Sequence, residues 1–208
     1  MRLLQRTTKA DDAMCAYTFR QFERWYSEPQ RHYHTLAHIS QCLSVLEPFR
    51  PYCENQDAVE LALWFHDSVY DVQASDNEKK SANRAIEILG FLGADPELCQ
   101  KVSELVLATQ HTGEFSEPTN MDTAILLDID LAILGCPPPY FDGYEYRIRR
   151  EYAWVPDDAF IFHRTQLLEK FLARPHIFHT SPMREGFETH ARNNLRRSVN
   201  RLKTGLIL

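Results

Sequence analysis

The chain has 208 residues, 44% of them hydrophobic and 25% charged, which suits one domain of ordinary size with a sizeable core. Its net charge of −6 is unevenly spread: residues 1–144 hold 11 Lys and Arg against 22 Asp and Glu, and residues 145–208 hold 12 against 7. An acidic body of this kind lacks the concentrated basic face of a nucleic-acid-binding protein, although a local arginine cluster could hold one phosphorylated small molecule.

Five scattered cysteines (Cys15, Cys42, Cys53, Cys99 and Cys136) include no Cys-x-x-Cys spacing. Reduced thiols are therefore expected rather than disulfides or a cysteine zinc site. The opening Met1-Arg2-Leu3-Leu4-Gln5-Arg6 is too short and polar for a signal sequence, and no window is apolar enough for a membrane span. A soluble, cytoplasmic protein is the expectation, with no membrane partner.

Only 7 glycines occur and the apolar spacing is helical nearly everywhere, which predicts an all-α fold. A first helix is expected from Thr8, with Asp11 three residues on, to the Ser27-Glu28-Pro29 stop. A second, over 33–49, carries Ile39, Leu43 and Leu46 and ends at Pro48 and Pro51. It would place His34 and His38 on one face. A third, over 57–69, opens on Asp57 with Glu60 in capping-box spacing and is apolar almost all round, so it belongs at the centre. Asp76 or Asn77 caps the fourth, whose stripe is Ala82, Ala85, Ile86, Leu89 and Leu92. Asp95-Pro96 opens the fifth, which runs to His111. The sixth starts at Thr119 or Asn120 and ends with Gly135 as a C-terminal glycine. Cys136-Pro137-Pro138-Pro139 reads as a rigid corner inside one domain spanning 1–208. Its core lies over about 30–136, and three further helices (roughly 140–153, 157–173 and 183–203) pack on it. The last is amphipathic, with Phe187, Ala191, Leu195, Val199 and Leu202 opposite Arg192, Arg196, Arg197 and Arg201.

The residues that break this apolar pattern carry the chemistry. Leu61-Ala62-Leu63-Trp64-Phe65 runs straight into His66-Asp67, and burying both groups without partners would cost several kcal/mol. A divalent ion accepts both kinds of ligand. His38 stands on an apolar face upstream. Asp128 and Asp130 sit in the apolar frame Leu126-Leu127-Asp128-Ile129-Asp130-Leu131, about 200° apart on a helix, so only one of them can serve the same site. His38, His66, Asp67 and one of these two aspartates offer two nitrogens and two oxygens. That set suits Mn, Fe, Co, Ni, Mg or Zn without separating them, and it leaves coordination positions open for water and substrate.

Several stretches together resemble the HD superfamily of metal-dependent phosphohydrolases. They are Arg31-His32-Tyr33-His34-Thr35-Leu36-Ala37-His38, Trp64-Phe65-His66-Asp67-Ser68-Val69-Tyr70-Asp71, Asn77-Glu78-Lys79-Lys80-Ser81-Ala82, Thr109-Gln110-His111 and Leu127-Asp128-Ile129-Asp130-Leu131-Ala132-Ile133-Leu134-Gly135. The similarity is to the bacterial branch of predicted HD-superfamily phosphohydrolases, and it extends through Glu151-Tyr152-Ala153 to Arg192-Asn193-Asn194-Leu195. The resemblance implies an HD-type helical bundle with metal ligands His38, His66, Asp67 and Asp128, the last favoured because it follows two aliphatic residues, with Asp130 as the alternative. Members with two metals use further histidines; here that would require His111 and His34, so one divalent ion is expected rather than two.

The implied reaction is hydrolysis of a small phosphorylated substrate, such as a nucleotide or another phosphate ester, by metal-activated water. Asp71 and Glu78 are candidates to orient that water or protonate the leaving oxygen. Arg31, Arg147, Arg150, Arg164 and Arg192 are candidates to hold the substrate phosphate. The alternative is a metal- or nucleotide-binding sensor that binds without turnover. A homo-oligomer is compatible with the sequence.

Overall fold

The helical spacing is realised throughout the residues that the computed structural model describes, 2–110 and 117–208, which contain no β-strand. Helix α1 (Arg2–Thr7), absent from the sequence expectation, buries Leu3 and Leu4. Thr8 closes it by donating its hydroxyl to Leu4 O, and Asp11 is the residue that caps α2 (Asp12–Trp25) by accepting from Met14 N. The expected single helix from Thr8 is thus two.

Helix α3 (Leu36–Leu46) is shorter than the predicted 33–49. His34 precedes it, and Pro48 and Pro51 turn its continuation, Glu47–Tyr52, into a 3-10 segment, since proline offers no N–H to an α-helical ladder. Helix α4 (Gln56–Phe65) is capped by Asn55, which accepts from Ala58 N, rather than by Asp57. It ends at Phe65, four residues before the expected Val69, so His66 is its C-cap and Asp67 lies in the turn beyond. Helix α4 packs against α1, α3, α5 (Asn77–Phe91), α6 (Pro96–Ala108) and α7 (Met121–Asp130). Val59, Leu61, Ala62, Leu63 and Phe65 are all essentially inaccessible to water, which makes α4 the centre of the first core.

After α7 the chain tightens into a 3-10 segment, Leu131–Gly135. Gly135 ends that segment, as a C-terminal glycine was expected to, but without the left-handed backbone of many such caps: among the described residues positive φ occurs at Gly93 and Gly205. Gly135 permits a close approach instead: a Cβ there would stand 2.7 Å from Phe187 Cβ. The proline corner bends the chain by 102° into α8 (Pro138–Glu151). Helices α9 (Asp157–Ala173), α10 (Ser181–Met183) and α11 (Thr189–Lys203), with a π-helical turn Arg184–Glu188 between the last two, enclose a second core around Leu134, Phe141, Phe178 and Leu195. Val45 and Phe49 touch both cores. No single described helix is long and apolar enough to cross a membrane.

Candidate metal centre

Three helix positions meet at one point. His38 comes from the first turns of α3, His66 from the C-cap of α4, and Asp130 from the last residue of α7, while Asp67 follows His66. His38 Nε2 and His66 Nε2 are 3.3 Å apart. Asp67 Oδ2 lies 3.0 Å from His66 Nε2 and 3.8 Å from His38 Nε2. Asp130 Oδ1 lies 3.2 Å from His38 Nε2 and 3.5 Å from His66 Nε2. Donors bound to one ion at about 2.1 Å, subtending about 90–110°, stand about 3.0–3.4 Å apart; the His38–His66, His66–Asp67 and His38–Asp130 spacings fall in that range, and the His66–Asp130 and His38–Asp67 spacings are wider.

The tautomer of His66 is set by its surroundings. Nδ1 donates to Leu63 O at 2.9 Å, which leaves Nε2 as the ring nitrogen that faces the cluster. Burial would lower the basicity of this ring, but the carboxylates of Asp67 and Asp130 outweigh that and hold it well above the usual imidazole range. Burial would likewise raise Asp67, and the charges of His66 and His34 instead hold it far below the usual carboxylate range. Opposite charges in a water-poor site reinforce each other in this way, and a divalent cation fits the same electrostatics.

The turn bearing His66 and Asp67 is clamped from outside. Arg31, whose side chain is fully buried, donates to Asp67 O at 2.7 Å, to Ser68 O at 3.3 Å and to His34 O at 3.2 Å, and pairs with Glu28. Arg84 also donates to Ser68 O, and Tyr26 Oη donates to Trp64 O at 2.8 Å. These bonds satisfy carbonyls that the early end of α4 leaves open.

His34 stands just outside the ligand set, its ring edge-on to His38 with centroids 5.9 Å apart. Its Nδ1 is 2.7 Å from Glu151 Oε2, which also accepts from Tyr70 Oη at 2.8 Å. Glu151 Oε1 accepts the backbone N–H groups of His32, Tyr33 and His34 at 2.7, 2.7 and 3.0 Å. Burial alone would raise this carboxyl, but the His34 bond and charge and the backbone donors hold it at about 2. With a carboxylate on Nδ1, the free nitrogen of His34 is Nε2.

Several expectations are corrected here. Asp128 is not turned to the cluster: its oxygens accept from His179 N, Thr180 N and Thr180 Oγ1, each at 2.7 Å, and Asp130 takes the inward place. Arg31 gives its donors to Glu28 and to the carbonyls of His34, Asp67 and Ser68 rather than turning them to the cluster. Arg164 is paired with Glu145 and Tyr144, and Arg192 with Glu188 and the carbonyls of Leu172, Arg174 and Pro175. Arg147 and Arg150 are exposed on α8, Arg150 over the ring of Tyr146. Asp71 accepts from Gln73 N within its own loop, Glu78 stays in the first turn of α5, and neither joins the cluster. His34 is engaged by Glu151 rather than grouped with the ligands. His111 lies outside the described residues.

Two neighbours of the site were missed. Cys42, four residues after His38 and so on its helical face, places Sγ 3.7 Å from both ring nitrogens of His38; the spacing was the available signal. Glu151 carried no such signal, since its partners are 81 to 119 residues away.

The fold and site define an all-α protein with clustered His, Asp and Cys donors, His38 with His66 and Asp67 and His38 with Cys42 and Asp130, that could hold a metal ion. Comparison with protein-family models, with curated proteins and with solved structures gives no match.

Proposed function

We propose that the chain is a metal-dependent phosphohydrolase of the HD type, acting on a small phosphorylated substrate such as a phosphate ester. The observation that supports it most is the convergence of His38 Nε2, His66 Nε2, Asp67 Oδ2 and Asp130 Oδ1 from three helix ends. These four side chains would hold a divalent ion, which would supply Lewis acidity toward a phosphoryl oxygen and lower the pKa of a bound water. The rest is done by the chain. The two imidazoles and two carboxylates fix where the reacting group lies, and the Arg31 clamp keeps His66 and Asp67 from drifting apart. Glu151 fixes the orientation of His34, leaving Nε2 to hydrogen-bond a substrate oxygen.

The test is metal content followed by turnover. Purified protein is expected to hold close to one equivalent of a divalent ion and to release phosphate from phosphomonoesters when supplied with Mn²⁺, Co²⁺, Ni²⁺ or Mg²⁺. Alanine at His66 or Asp67 should abolish both. Tight nucleotide binding with no release would favour a sensor of the same architecture, and absence of any stoichiometric ion would sink the reading altogether.

A further inference from the structure

A groove of ≈ 340 Å³ reaches the cluster from the α3 side and ends on His38 and Asp130. Gln41 and Ser44 of α3, Ile133, Tyr33 and Tyr140 are among the residues that line it. Tyr33 is buried, its ring 4.8 Å from that of His38, whereas Tyr140 is 66% exposed at the rim. No lysine or arginine lines the groove. The arginines expected to bind phosphate are tied into structural pairs or lie on the outer face of α8.

This lining restricts what fits. Negative charge on an occupant could be neutralised only by an ion held beside His38 and Asp130; no lysine or arginine lines the groove to meet a second phosphate. What the walls offer is aromatic surface, an aliphatic face, an amide and hydroxyls, which recognise a flat, weakly polar body. The volume is at the low end of the roughly 300–1,000 Å³ of small-molecule sites, enough for one ring system and not for a long polyanion.

We infer that the groove receives the uncharged, planar organic part of a phosphomonoester, so that the substrate is an aromatic monoester with a single phosphoryl group rather than a polyphosphate. This rests on the reading of the cluster as a hydrolytic metal centre. The test uses the full chain loaded with Mn²⁺ and two phosphonates that cannot be hydrolysed. Calorimetry should find phenylphosphonate bound at least tenfold more tightly than methylphosphonate. Ser44→Trp, which fills the groove, and Tyr140→Ala, at an exposed position, should each erase that advantage and leave methylphosphonate binding unchanged. Phosphate release from phenyl phosphate should exceed that from pyrophosphate at least tenfold. Equal affinity for the two phosphonates, an advantage untouched by both substitutions, or a preference for pyrophosphate overturns the assignment while the metal centre stands. Protein that takes up no ion sinks the hydrolytic reading itself.

Discussion

Asp128 and Asp130 are two residues apart on α7, both framed by aliphatic side chains, yet they have unrelated work. Asp128 is fully buried and ties down the backbone at residues 179 and 180, whereas Asp130 faces His38 and His66. Helical geometry said that only one could point inward, and it could not say which, because the deciding partner lies about fifty residues further along the chain. The imidazoles were easier to read: a histidine in an unbroken apolar run has few other uses. The expected consequence separates the two aspartates by measurement. Asp130→Asn should cut metal affinity at least tenfold, by equilibrium dialysis, with little change in urea stability. Asp128→Ala should do the reverse, keeping the metal and losing on the order of 2–4 kcal/mol, because it strands the buried N–H and hydroxyl of Thr180 and the half-buried N–H of His179. If Asp128→Ala loses the metal and Asp130→Asn keeps it, the assignment is wrong.

At the scale of elements, buried carboxylates act as pins between segments far apart in sequence. Asp122 accepts from the N–H groups of Glu54 and Asn55, Asp128 from those of His179 and Thr180, and Glu151 from those of 32–34. Helix starts at Asp95 and Asn120 were legible because a cap bonds within three residues of itself; pins were not, because their partners are remote. The early end of α4 belongs with the pins, since Arg31 and Arg84 hold the turn from elsewhere. Glu151 is the pin nearest the site, and its pH signature has a definite sign. Its carboxyl is held at about 2 against an ordinary 4.5, so its stabilisation is fully present above the unfolded value and fades as pH falls through the folded one. Glu151→Gln should therefore be less stable than wild type at pH 7, with the gap narrowing by on the order of 2 kcal/mol by pH 3. Urea midpoints at the two pH values measure it, and a gap independent of pH would refute the pin. Gly135 marks a second contact between distant elements: Gly135→Ala should cost about 1–3 kcal/mol by overpacking Phe187, read from the same titration.

For the whole molecule, the all-α class was legible from scarce glycine and helical spacing, and the proline corner was legible as a corner. What the corner achieves was not. By turning the chain 102°, it brings the end of α8 back to the loop before α3, so that Glu151 from the C-terminal third orients a histidine beside ligands from the N-terminal two-thirds. The donor cluster has the same joining character, since α3, α4 and α7 each supply part of it. An ion bound there stabilises the folded chain by mass action, because the unfolded chain presents no such cluster. At a free concentration of about 100 Kd this amounts to about 2.7 kcal/mol, or a rise in Tm of about 5–10 °C for a chain of this length. Removing the ion with a chelator should lower Tm by that amount, and restoring it should recover the transition. His66→Ala and Asp130→Asn should show no such shift, whereas Glu151→Gln, outside the ligand set, should keep it. A shift of equal size in His66→Ala would place the responsible ion elsewhere on the molecule and detach the cluster from it.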